Sequence, residues 1–78
     1  MLAEDIREMI LRGLPGASVE VRGDDGVHFE ATIVSPAFEG KRTLERHRLV
    51  YSTLGERMGG EIHALSLRTL TPAEAAQD

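Results

Sequence analysis

The segment between Ile33 and Ile62 constrains the fold more than any other part of the chain. Before it, Ala17, Val19 and Val21 alternate with Ser18, Glu20 and Arg22, the period of a half-exposed strand. The turn "RGDDGV" follows, and Val27, Phe29, Ala31 and Ile33 alternate again, so the two runs read as a β-hairpin. After it, Ile62 to Leu70 reads as a third strand. The connection from the second strand to the third exceeds twenty residues and contains a helix. Strands joined in this way are expected to run parallel through a right-handed crossover. Both strands then start at the same rim of the sheet.

The connection divides into an irregular "SPAFEGK" and a helix from about Arg42 to Met58, ended by "GG". On a helical wheel Leu44, His47, Val50, Tyr51, Leu54 and Met58 fall on one side, which predicts a core-facing stripe. A first helix is predicted over Leu2 to Leu14, where Leu2, Ile6, Met9, Ile10 and Leu14 recur at helical spacing before "GLPG" stops it. At the other end "TPAE" sets Thr71 at an N-cap, Pro72 at the first helical position and Glu74 two residues on, a capping-box start. The predicted order is αββαβα: one α+β domain over residues 1–78, with a three-stranded mixed sheet and helices packed on one face.

A chain of 78 residues is near the lower limit for folding on its own core. It has no apolar run of about eighteen residues and no secretory leader, so a soluble, cytoplasmic protein is expected. Lacking cysteine, it has no disulfide framework and no thiolate site of its own. The net charge of −4 argues against a general nucleic-acid binder, although Lys41, Arg42, Arg46 and Arg48 cluster at the second helix. Such a helix can grip phosphates or dock an acidic partner, and Glu39 and Glu45 dilute its charge. Two G-x-x-G spacings, Gly13 to Gly16 and Gly23 to Gly26, fall at a helix end and in the hairpin turn. They read as backbone punctuation rather than phosphate loops. No serine has a histidine at a telling distance, so catalysis has no support and an enzyme is not expected.

The histidines are more informative. His63 shares the parity of Leu65 and Leu67, and the simplest reading is a partly buried ring with a satisfied hydrogen bond. His28 has the opposite parity to Phe29 and Ala31, which suits an exposed turn residue. His47, in the middle of the helical stripe, reads as a core histidine. The crossover brings His28 and His63 to one rim and opens a second reading, a pair of metal ligands. Two nitrogens do not complete a site, so an outside donor is required.

The stretch "VSPAFEGKRTLERHRLVYSTLGE" followed by "IHALSLRTLTPAE" resembles the BolA family over nearly the whole chain. The shared pattern is a phenylalanine–x–glycine connector, an R-H-R helix and a histidine-led last strand ending in T-P. The compact "GDDGVHF" turn is similar to that of the short-loop bacterial subgroup. The resemblance implies a fold akin to class II KH domains. It also implies partnership with a CGFS monothiol glutaredoxin, with a bridging 2Fe–2S cluster shared between the two in iron–sulfur trafficking or iron homeostasis. The glutaredoxin would bring a cysteine and a bound glutathione; the family's ligand positions map onto His63 and, in this subgroup, His28. Some family members are DNA-binding regulators of stress response and cell morphology, for which Arg42, Arg46 and Arg48 would be the natural surface. Alone, the chain is expected to be a monomer or weak homodimer.

Overall fold

Strand alternation, helix periodicity and the turn residues combine into six main elements. The computed structural model describes residues 1–77. It contains α1 (Ala3–Gly13), β1 (Ser18–Arg22), β2 (His28–Val34), α2 (Thr43–Leu54), β3 (Ala64–Leu70) and α3 (Pro72–Gln77). The sheet order is β1-β2-β3. β1 and β2 are antiparallel, with Val19 opposite Ile33 and Val21 opposite Ala31. β2 and β3 are parallel, with His28 opposite Ala64 and Val34 opposite Leu70. The predicted α+β architecture and its crossover are therefore present.

Alternation assigns the two faces of the sheet. Val19, Phe29, Ala31 and Ile33 point into one core cluster with Ile6, Ile10 and Leu14 from α1 and Val50 and Leu54 from α2. Ser18, Glu20, Arg22, His28, Glu30, Ser66 and Arg68 are exposed on the other face. α1 buries one line of side chains, Ile6, Ile10 and Leu14, spaced four apart. Its start is held by Asp5, whose Oδ2 accepts from the Leu2 N–H at 3.0 Å. At its end Gly13 lies directly against Thr53 of α2, and a Cβ there would collide with the threonine side chain. Among the described residues, no helix is long and apolar enough to cross a membrane.

Three expectations need correction. α2 ends at Leu54, and the chain continues as a 3-10 turn over Gly55–Arg57. Gly55, at a φ of +56°, makes the break. The inward face of α2 is also rotated from the predicted stripe. Val50 and Leu54 are buried, but Leu44 is 61% exposed and Tyr51 36%. His47 is only half-buried, its ring edge-on to Tyr51 at 6.4 Å, and is not a core residue. The line four residues apart that faces inward is Arg46, Val50 and Leu54, so an arginine fills a position that the apolar pattern assigned elsewhere.

The third correction is the start of β3, at Ala64 rather than Ile62. The loop before it folds back on itself: Ile62 N–H donates to the Arg57 carbonyl, and Gly59 N–H to the Ile62 carbonyl, both at 2.9 Å. That turn interrupts the alternation. Ile62 goes fully into the core, and His63 is left exposed instead of partly buried.

A histidine rim and a basic helix

The turn between β1 and β2 is organised by one carboxylate. Asp25 Oδ1 accepts from the backbone N–H of both Val27 and His28, each at 2.8 Å. This is an Asx turn, in which a short acidic side chain replaces a backbone acceptor. The second oxygen, Oδ2, lies 2.8 Å from His28 Nδ1. Hydrogen bonding by the His28 ring, and then by the His28 and Val27 backbone N–H groups, holds the Asp25 carboxyl well below the usual carboxylate range. Gly23 is needed on the inner side of this turn. A Cβ there would sit 2.5 Å from the Phe29 ring and 2.7 Å from the His28 carbonyl oxygen.

His28 is thus the first residue of β2, with its side chain 74% exposed. Its cross-strand neighbour on β3 is Ala64, the residue after His63. One strand spacing and one residue of rise put the two histidine Cα atoms on the order of 6 Å apart. Both rings are exposed. No hydrogen bond or ion pair engages the His63 ring among the described residues. The two histidines therefore share the rim where the parallel strands begin. Beside His28, a shallow depression of about 620 Å³ opens on the uncovered sheet face, lined in part by Arg22, Asp24, Glu30 and Ser66.

The basic residues at the start of α2 and within it divide into two kinds. Lys41, Arg42 and Arg48 are exposed. Arg46 is tied into the fold, with its side chain 13% exposed. Its Nε donates to the Lys41 carbonyl at 2.8 Å, and Nη1 to the Thr69 carbonyl at 3.3 Å. Nη1 and Nη2 together grip the two carboxylate oxygens of Glu74 at 2.6 and 3.2 Å. Its guanidinium lies 5.9 Å from the centre of the buried Phe38 ring. Glu74 also completes the predicted capping box: its Oε1 accepts from Thr71 N–H at 2.9 Å, and its own N–H donates to Thr71 Oγ1 at 3.1 Å. Arg46 foremost, and Thr71 N–H next, lower the Glu74 carboxyl to about 2. The pair docks α3 against β3 and α2.

Asp25 escaped the reading of the sequence, although "DDGVH" holds the signal: an acidic residue three before a histidine, inside a glycine turn. Phe38 was missed as core because it lies in an irregular connector, where periodicity says nothing.

The chain matches the BolA-like protein family over residues 15–74. It is 37% identical to BolA-like protein 1 of Homo sapiens, in an alignment covering 88% of this chain and 57% of the human protein. It is 49% identical over 47 residues to the DNA-binding transcriptional regulator BolA of Escherichia coli K12, covering 60% of this chain and 45% of that protein. The chain thus spans about half the length of these relatives. The solved structure of a bolA protein homologue from Coxiella burnetii superposes with a TM-score of 0.87 at 48% identity, covering 97% of both chains. The match over residues 15–74, at these identities and with this topology, establishes that the chain belongs to the BolA-like family.

Proposed function

We propose that the chain is a non-enzymatic partner of a monothiol glutaredoxin, sharing a bridging 2Fe–2S cluster as cargo in iron–sulfur trafficking or iron homeostasis. The observation that carries this reading is the pair of exposed imidazoles, His28 and His63, at one rim of the parallel strands. The donor set fits such a cluster. Imidazole is a regular iron ligand, and a chain without cysteine leaves the thiolates to the partner's cysteine and bound glutathione. A cluster with two imidazole ligands has a raised reduction potential relative to an all-thiolate one, and its retention weakens as the imidazoles protonate. Lys41, Arg42 and Arg48 offer an exposed cationic surface for an acidic partner face, while Arg46 supports that helix from beneath.

The test is coexpression with a CGFS glutaredoxin, followed by visible absorption and circular dichroism of the purified complex. His63→Ala and His28→Ala should each alter the spectrum and weaken retention of iron. A coloured complex indifferent to both substitutions would overturn the ligand assignment.

A second reading, a DNA-binding regulator of stress response and cell morphology, draws support from the name of the Escherichia coli relative. It expects salt-dependent binding of duplex DNA by the isolated chain, weakened by Arg48→Glu. No binding at about 50 mM salt would remove it.

A further inference from the structure

The turn before β2 does more than expose His28. We propose that Asp25 is a positioning residue that fixes the tautomer and direction of the His28 ring, presenting Nε2 outward as the free donor. Its use to a cluster rests on the reading of His28 as a ligand; the tautomer itself does not.

The chemistry follows from the hydrogen bonds. An ionised carboxylate only accepts, so the 2.8 Å contact between Asp25 Oδ2 and His28 Nδ1 requires the proton on Nδ1. In the neutral ring Nε2 is then bare and carries the lone pair that a metal takes. The ring is 74% exposed, so that lone pair faces solvent rather than the core. The carboxylate cannot swing away cheaply, because its other oxygen holds the N–H groups of Val27 and His28 at 2.8 Å each. One side chain thereby folds the turn, aims the ring and selects the nitrogen. Histidine ligands to metals almost always have their second nitrogen held in this way. His63 has no such partner among the described residues, which makes the two rings chemically unequal before anything binds.

Asp25→Asn separates the roles. Two backbone N–H groups still demand an acceptor, so the carboxamide oxygen must take the Oδ1 place. Its NH₂ then faces His28 Nδ1 as a donor. The ring must answer with a lone pair at Nδ1 and a proton at Nε2, the wrong tautomer for a ligand.

The decisive measurement is long-range ¹H–¹⁵N NMR of the histidine rings in the chain alone, about two units above the ordinary histidine pKa of ~6.5. The wild type should show His28 protonated at Nδ1, and Asp25→Asn should move the proton to Nε2 while His63 stays unchanged. Asp25→Ser keeps an acceptor for the turn but has no second oxygen, and should leave His28 without its Nδ1 preference. A wild-type ring protonated at Nε2, or an Asp25→Asn ring unchanged, overturns the proposal. In the glutaredoxin complex, Asp25→Asn should weaken cluster retention by about 10- to 100-fold. If His28→Ala changes that complex and Asp25→Asn does not, Asp25 has no positioning role. If neither changes it while the tautomer moves as stated, the reading of His28 as a ligand fails and the positioning of the ring stands.

Discussion

Phe38 and Leu44 provide a direct test of which residues hold this domain together. Phe38 is fully buried although it sits in an irregular connector; Leu44 lies in the apolar pattern of α2, yet is 61% exposed. Truncating a buried phenylalanine to alanine costs about 3–5 kcal/mol, through lost transfer energy and the cavity left behind. At about 0.05–0.15 kcal/mol per residue, a chain of 78 residues has roughly 4–12 kcal/mol of total stability. Phe38→Ala should therefore remove a quarter of that stability or more. With a slope of about 4–8 °C per kcal/mol for domains of this size, the Tm should fall by at least ~12 °C. Leu44→Ala should stay within about 0.5 kcal/mol, a Tm change under ~4 °C. Urea and thermal unfolding followed by far-ultraviolet circular dichroism measure both. A loss below about 1 kcal/mol in Phe38→Ala, or a greater loss in Leu44→Ala than in Phe38→Ala, would refute this account of the core.

The turn and the α3 pin give further expectations. Gly23→Ala should destabilise by about 1–3 kcal/mol in urea titration, because the Phe29 ring and the His28 carbonyl occupy the space its methyl group needs; it should also shift the His28 amide resonance. Glu74 is held at about 2 in the folded chain against 4.5 for an unperturbed glutamate, so between those values the unfolded state binds more protons. Its contribution to stability is present above about pH 4.5 and fades as pH falls toward about 2; the low-pH limb of stability should flatten in Glu74→Gln. Arg46→Lys keeps a charge but loses the two-pronged grip on Glu74, so hydrogen exchange at the Ala75 amide should accelerate while exchange in β2 is unchanged.

Sequence legibility followed the range of the interactions. The order of elements and the parallel pairing depend on local period and connection length, and both are visible in "VHFEATIV" and the helical stretch after it. The terminal capping box was equally local. The inward face of α2 was not, because a wheel treats each side chain alone. Arg46 can take an inward position only because Glu74, 28 residues later, meets its guanidinium and Phe38 lies under it. The placing of the His28 and His63 backbones at one rim followed from topology, whereas the exposure of His63 depended on a fold-back hydrogen bond from Ile62 to Arg57. The role of Asp25 hides in the choice of one oxygen over another, which residue spacing does not specify.

The state of Arg46 also bears on how the two functional readings differ. Binding to duplex DNA that neutralises Z phosphates falls with salt at a logarithmic slope of about −0.9Z. The four cations Lys41, Arg42, Arg46 and Arg48 together would give roughly a 150-fold loss of affinity between about 50 and 200 mM salt. With Arg46 committed to Glu74, Lys41, Arg42 and Arg48 remain, and the loss should be nearer 40-fold. Such a contribution is small against a net charge of −4, which repels the phosphate backbone as a whole. An acidic partner of protein size presents no comparable counterion atmosphere, and a few exposed cations at and along α2 can orient it. By this count the cations at α2 are a poor match to bare duplex, which weighs against the DNA-binding reading.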